Sequence, residues 1–228
     1  VRPNDSVAAA PRGRLDAGAV AARTESLFRA SGALRDGHFL LRSGRHGDRY
    51  LEKFQVLQHP MMVTELCSHL ADASRDADGT RLVDLVCGPT TGGVILAFEV
   101  ARQLGVRGIF AEEVRAADGT TRREFRRGFR IEPGERVLLV DDILTTGGSV
   151  GAMLPAIESA GGEVVLVAVL ADRSGSTTTV ASPATGRAYP LVALWRAEIP
   201  TYDPGPETCP GCRDGVPLET PGASGAAA

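Results

Sequence analysis

VLLVDDILTTGGS, Val137 to Ser149, decides the fold. Four apolar residues read as a buried central strand, and two carboxylates stand at its exit. A Thr-Thr-Gly-Gly-Ser loop then enters a helix. Backbone N–H groups at a helix N-terminus, with Thr and Ser hydroxyls beside them, make a phosphate cradle. Glycines let the backbone come close to the anion. The acidic pair would repel a phosphate, so it needs another partner. Adjacent ribose hydroxyls qualify, because ionised carboxylates accept hydrogen bonds from both. The stretch therefore points to a ribose 5-phosphate site. An ordinary N-capped strand–turn–helix would explain neither the acidic pair nor the double glycine.

Outward from this stretch, strands alternate with amphipathic helices. Arg81–Cys87 reads as a short apolar strand. GPTTGG follows, then the helix VILAFEVARQLG, ended by Gly105, and the strand VRGIFAEE. Downstream, a helix is expected over about Ser149–Ala160, then Gly161–Gly162 and the strand VVLVAVLADR. This alternation predicts a parallel sheet of right-handed βαβ units. Ligands should sit beyond the carboxyl ends of its strands, at Gly88–Gly93, Asp141–Ser149 and Asp172–Gly175.

The flanks are less regular. Residues 1–16 are polar and aperiodic, which predicts a disordered N-terminal tail. A helix is expected over about Ala17–Ser31, with Val20, Leu27 and Phe28 on its inner face. GHFLLRSGRHGDRYLEKFQVL predicts two strands around a polar turn at Ser43–Arg49. Pro60 opens a helix to about Ser74, with Met61, Leu66, Cys67 and Leu70 inward. Residues 114–130 lack an apolar period and carry Arg115, Arg122, Arg123, Arg126, Arg127 and Arg130. They predict a mobile loop or hairpin with Asp118 and Gly119 at its tip. The working division is a domain at 17–205 and a Pro/Gly-rich C-terminal tail at 206–228.

Composition limits the classes. The chain has 228 residues, 43% of them hydrophobic and 23% charged, with a net charge of −3. That balance fits one soluble, cytoplasmic α/β domain and argues against nucleic-acid or membrane partners. Lys53 is the sole lysine among 25 basic residues. Cys67 and Cys87 read as small core residues. Cys209 and Cys212 form a CPGC pair, which is half of a zinc site. No other close Cys/His pair in the sequence completes it, so a reduced thiol pair in a structured tail is the expectation. The histidines look unremarkable, although His46 could touch ligand.

The stretch 137–149 resembles the signature of type I phosphoribosyltransferases, which bind 5-phosphoribosyl-1-pyrophosphate (PRPP). The resemblance implies that Asp141 and Asp142 hold the ribose hydroxyls, and that Thr145, Thr146, Gly147, Gly148 and Ser149 hold the 5-phosphate. Thr90, Thr91 and Gly92 fall in a loop similar to the family's pyrophosphate loop. Gly92 stands where well-known orotate enzymes carry lysine, so arginines from elsewhere would be needed. Mg²⁺ is expected on PRPP oxygens, with no dedicated protein metal site.

Four further segments narrow the resemblance to the orotate phosphoribosyltransferases: Phe39–Lys53, Phe110–Glu135, Ala171–Gly175 and the C-terminal tail, which accounts for CPGC without a metal. They imply a small N-terminal hood over the base. The candidate base-binding set is Arg42, Tyr50, Lys53, Thr145 and Arg173, with Arg173 on the orotate carboxylate. Gly47 departs from the usual serine. The Arg-rich loop resembles a lid over the leaving group, and Arg126 and Arg127 join Asp141 and Asp142 as candidate catalytic residues. This lid lacks the lysine and histidine that serve in classical members. A homodimer is implied. Transfer to a related carboxylated heterocycle, or PRPP sensing without catalysis, are the alternatives.

Overall fold

A computed structural model describes residues 16–41, 43–115, 119–175 and 177–221. The expected disorder of residues 1–15, the base-side role of Arg42 and the turn at Asp118 lie outside the described residues.

The core is a seven-stranded sheet in the order β5-β4-β3-β6-β7-β9-β8. Its members are β3 (Leu85–Pro89), β4 (Arg107–Arg115), β5 (Thr121–Phe125), β6 (Arg136–Leu144), β7 (Glu163–Asp172), β8 (Thr179–Ala181) and β9 (Ala188–Arg196). The five central strands are parallel, and β5 and β8 close the two edges antiparallel. β6 lies at the middle because it is apolar on both faces. Leu138 and Val140 enter one core, and Val137 and Leu139 the other.

Helices cover the faces unequally. α1 (Ala17–Ala30), α2 (Lys53–Leu57), α3 (Pro60–Ala73) and α4 (Gly92–Leu104) bury one face, and α5 (Gly148–Ser159) covers the other. Asp16 caps α1 through the amides of Gly18 and Ala19. A separate antiparallel sheet forms the hood, from β1 (Leu34–Leu40), β2 (His46–Leu51) and β10 (Thr201–Tyr202). Near the C-terminus, α6 (Pro210–Arg213) and the Phe39↔Glu219 bridge stitch the tail onto β1. No helix among the described residues is long and apolar enough to cross a membrane.

Several expectations change. Met61 is 80% exposed, not inward. At about 100° per residue, Met61 faces away from the stripe formed by Val63, Leu66, Cys67, Leu70 and Ala71. The strand expected at 81–87 starts at Leu85, because Asp84 turns to a bidentate pair with Arg136. The end of the hood stretch, Lys53–Leu57, is helical rather than extended.

The Arg-rich segment is a hairpin in its described parts. Glu113 faces Arg123 across the β4–β5 ladder, so opposite charges replace apolar periodicity in holding this edge. β9 had no clear sequence signal because Pro190 sits inside it. Its ladder to β7 begins one residue later, at Leu191.

Candidate functional site

Three loops meet beyond the carboxyl ends of β3, β6 and β7. Leu144 pairs with Asp172 in the β6–β7 register, and the Arg173 amide donates to the Leu144 carbonyl at 2.8 Å. Thr145 and Arg173 are thereby fixed as neighbours.

The acidic pair is buried: Asp141 is 5% and Asp142 3% exposed. The Asp141 carboxylate accepts from the Asp142 amide at 2.9 Å. Burial, and then the Asp142 charge, push its pKa up to about 6, while the Asp142 amide and the Ser149 hydroxyl pull the other way. Asp142 accepts from the Ile143 amide and from Lys53 Nζ, which lies 3.0 Å from Oδ1. The same ammonium is 2.9 Å from Oδ2, but without hydrogen-bond geometry, and Oδ2 is otherwise unpartnered. The sole lysine of the chain therefore reaches from the start of α2 to the acid pair.

The loop after β6 is open. Thr145, Thr146, Gly148 and Ser149 are exposed, and no side chain caps α5. Gly147 has φ 78°, a left-handed conformation that favours glycine. The first-turn N–H groups of a 12-residue helix thus face outward beside two hydroxyls. A cleft of about 870 Å³ runs from Thr146–Gly148 along α5, with Thr121, Arg122 and Arg123 of β5 on its far wall. It reaches the loop after β6 but not the acid pair.

The loop after β3 is closed down. A Cβ on Gly92 would fall 1.9 Å from Asp142 Oδ2, so no side chain fits there. The missing lysine has no room in this packing. Arg123 arrives instead from β5 and donates to the Thr90 hydroxyl at 3.1 Å and to its carbonyl at 3.4 Å. Its side chain is only 9% exposed. Sequence reading did not single out Arg123 among the six arginines of its segment. Arg126 and Arg127 instead face Glu124 and Glu112 of the hairpin, with Arg127 Nε 2.5 Å from Glu112.

On the hood side, Tyr50 packs its ring 5.6 Å from Phe39. Arg173 is half-buried, and its Nε is buried without a hydrogen-bond partner. Burial lowers its pKa, and Tyr50 opposes that shift. No carboxylate among the described residues forms an ion pair with it, whereas neighbouring Asp172 engages Ser174 and Arg196. His38 and His46, which looked unremarkable in the sequence, lie together in the hood beside Cys209 and Cys212.

A parallel sheet with an acid pair, an uncapped helix terminus and a second glycine loop at its carboxyl edge defines a phosphoribosyltransferase-type site. Residues 54–186 match the phosphoribosyl transferase domain family. The chain is 44% identical over 196 residues to the orotate phosphoribosyltransferase of Caldicellulosiruptor bescii, covering 86% of this chain and 94% of that one. It is 44% identical over 197 residues to that of Pelotomaculum thermopropionicum, with 86% and 94% covered. Among solved structures, orotate phosphoribosyltransferase from Aeropyrum pernix matches with a TM-score of 0.60 at 25% identity, over 76% of this chain and 93% of that one. The chain belongs to the phosphoribosyltransferase family and, within it, to the orotate phosphoribosyltransferases.

Proposed function

We propose that the protein transfers the 5-phosphoribosyl group of PRPP to N1 of orotate, giving orotidine 5′-phosphate and pyrophosphate. The C1–O bond to pyrophosphate breaks and the N1–C1 bond forms. Orotate is already an anion, so positioning and charge stabilisation dominate over a strong base. Asp141 and Asp142 take the ribose hydroxyls, and the loop Thr145–Ser149 takes the 5-phosphate. Thr90, Thr91 and Gly92 take the pyrophosphate through the threonine hydroxyls and the Thr91 and Gly92 N–H groups, with Arg123 behind Thr90. Arg126 and Arg127 stay candidates for the leaving-group side once their glutamates are displaced.

The donor set fits magnesium. Hard carboxylate oxygens stand beside the phosphate loops, and Asp142 Oδ2 has no hydrogen-bond donor. Mg²⁺ carried on PRPP oxygens near Asp141 and Asp142 would supply compensation for the pyrophosphate charge. Lys53 covers Asp142 until substrate arrives and then lies free to turn toward the base.

The base assignment rests on one observation. Arg173 presents a half-buried guanidinium with no acidic partner among the described residues, its Nε buried without a hydrogen bond. A planar guanidinium grips a carboxylate through two parallel bonds. A direct assay with PRPP, Mg²⁺ and orotate tests the reaction. Arg173→Ala tests the base reading: orotate kcat/KM should fall roughly thirty- to a thousandfold, about 2–4 kcal/mol. PRPP binding should barely change, and preference over uracil should shrink. Unchanged orotate kinetics in a variant that melts like the parent would favour a different base.

We also propose a homodimer. Phe54, Met61, Ile95 and Phe98, on α2, α3 and α4, are exposed, at 80% for Met61 and 69% for Phe98. Such side chains on neighbouring helices mark an association surface.

A further inference from the structure

The hood and the C-terminal segment bring four metal-ligating side chains together. His38 comes from β1, His46 from β2, and Cys209 and Cys212 from the turn opening α6. One ligand atom from each lies within 4.8 Å of all the others. His38, His46 and Cys209 are buried, and Cys212 is partly so. We propose that these four residues form a tetrahedral zinc site that pins the C-terminal segment onto the hood.

The distances suit one ion. With Zn–N near 2.0–2.1 Å and Zn–S near 2.3 Å, a tetrahedral His₂Cys₂ set has edges of about 3.3–3.8 Å. Cys209 Sγ is 3.3 Å and Cys212 Sγ 3.6 Å from His38 Nε2, and Cys212 Sγ is 3.2 Å from His46 Nδ1. The two ring nitrogens stand 2.8 Å apart. Small side-chain rotations open that edge and draw in the widest one.

Hydrogen bonding crowds the cluster onto one ring nitrogen. His38 Nδ1 lies 2.8 Å from the Val216 carbonyl, which only accepts, so Nδ1 carries the proton. In the neutral ring Nε2 then has a single lone pair, and His46 Nδ1 and both thiols converge on it. One lone pair cannot accept from all three at once, whereas a cation inside the group serves all four atoms. The Val216 contact is also the outer-shell arrangement that orients a ligating imidazole. Gly211 wraps the CPGC turn around the ring: a Cβ there would fall 2.5 Å from His38 Cγ. A closed set of two thiolates and two imidazoles selects zinc over hard cations. All four positions being protein side chains, the site is structural. It would brace the strand that carries Tyr50, four residues after His46.

The test uses the full chain, expressed with zinc in the medium and purified under mild reduction without chelator. Elemental analysis should give about one zinc per chain. Cys209→Ser and Cys212→Ser should each reduce this to near zero, while His69→Gln, away from the cluster, retains it. Cobalt added to metal-stripped protein should produce the thiolate charge-transfer and visible bands of a tetrahedral site. That readout does not require the serine variants to fold. A chelator should lower the melting temperature of the parent but not of Cys212→Ser. Substoichiometric zinc with no cobalt spectrum in folded protein overturns the proposal, as does a Cys209–Cys212 disulfide in the reduced preparation.

Discussion

The two glycine loops look alike in sequence and differ in structure. GPTTGG at the end of β3 and TTGGS after β6 both pair threonines with glycines at a helix start. In the loop after β3 the glycines are packing residues. A Cβ would meet Gly93 O at 2.4 Å from Gly88, Asp142 Oδ2 at 1.9 Å from Gly92, and Pro89 Cδ at 2.5 Å from Gly93. In the loop after β6 the glycines leave room: Gly148 has only Thr146 Oγ1 nearby, at 3.6 Å. The first loop is locked against the acid pair and tied to the hairpin by Arg123. The second presents bare N–H groups to solvent. Two glycine loops of similar sequence can therefore be built by opposite means, one by closure and one by exposure.

The sharpest break of this comparison is a matched pair of alanines. Gly92→Ala should destabilise the protein by about 1–3 kcal/mol through overpacking against Asp142, with PRPP turnover falling alongside. Gly148→Ala should change stability by less than about 1 kcal/mol, since alanine suits the first turn of a helix. Thermal melts and PRPP calorimetry on both variants check this. Equal stability losses would mean the loops are not different in kind.

Arg123→Ala removes the tie between the hairpin and the loop after β3. Turnover should fall roughly ten- to thirtyfold, with PRPP affinity changing less, because the charge on the leaving group grows as the bond breaks. Arg126→Ala and Arg127→Ala should each cost less than this. Steady-state kinetics beside direct PRPP binding separates the quantities. A larger loss at Arg126 or Arg127 would return the lid role to them.

The smallest effect is the titration of Asp141. Its pKa is raised to about 6 by burial and by the Asp142 charge. Ionised carboxylate is the form that accepts from ribose hydroxyls, so PRPP affinity should rise up to about tenfold between pH 5 and 7. Stability moves the other way. The unfolded chain ionises this group at an ordinary carboxylate pH, while the folded chain holds the proton longer. Its stabilising contribution is complete below that ordinary value and is gone above about pH 6. Asp142→Asn should bring the Asp141 titration down, because one of its two causes is removed. An unchanged binding midpoint in that variant would assign the titration to another group.

Much of this was legible in the chain itself. The both-face apolar run Val137–Val140 placed β6 at the middle of a parallel sheet. The carboxylates and Thr-Thr-Gly-Gly-Ser run after it marked a strand-to-helix junction with an uncapped helix start, because backbone geometry there is a local property. Gly105 at the end of α4, with φ 67°, is equally local. β9 was not legible, since its ladder partners lie in other elements, whereas Met61 was misplaced although the helical period alone sets it off the buried stripe.

What tertiary structure decided is who meets whom across long separations. Lys53 reaches Asp142 across 89 residues, and Arg123 reaches Thr90 across 33. His38 reaches Cys209 across 171. A sequence states the period of its own apolar residues and the chemistry of its own turns, so sheet, loops and helices follow from it. Contacts between polar side chains on separate elements leave no period, because each needs only a single residue placed correctly on either side. Which arginine serves, what fills the place of a missing lysine, and which histidines complete a CPGC pair are fixed only when the sheet and hood close on each other.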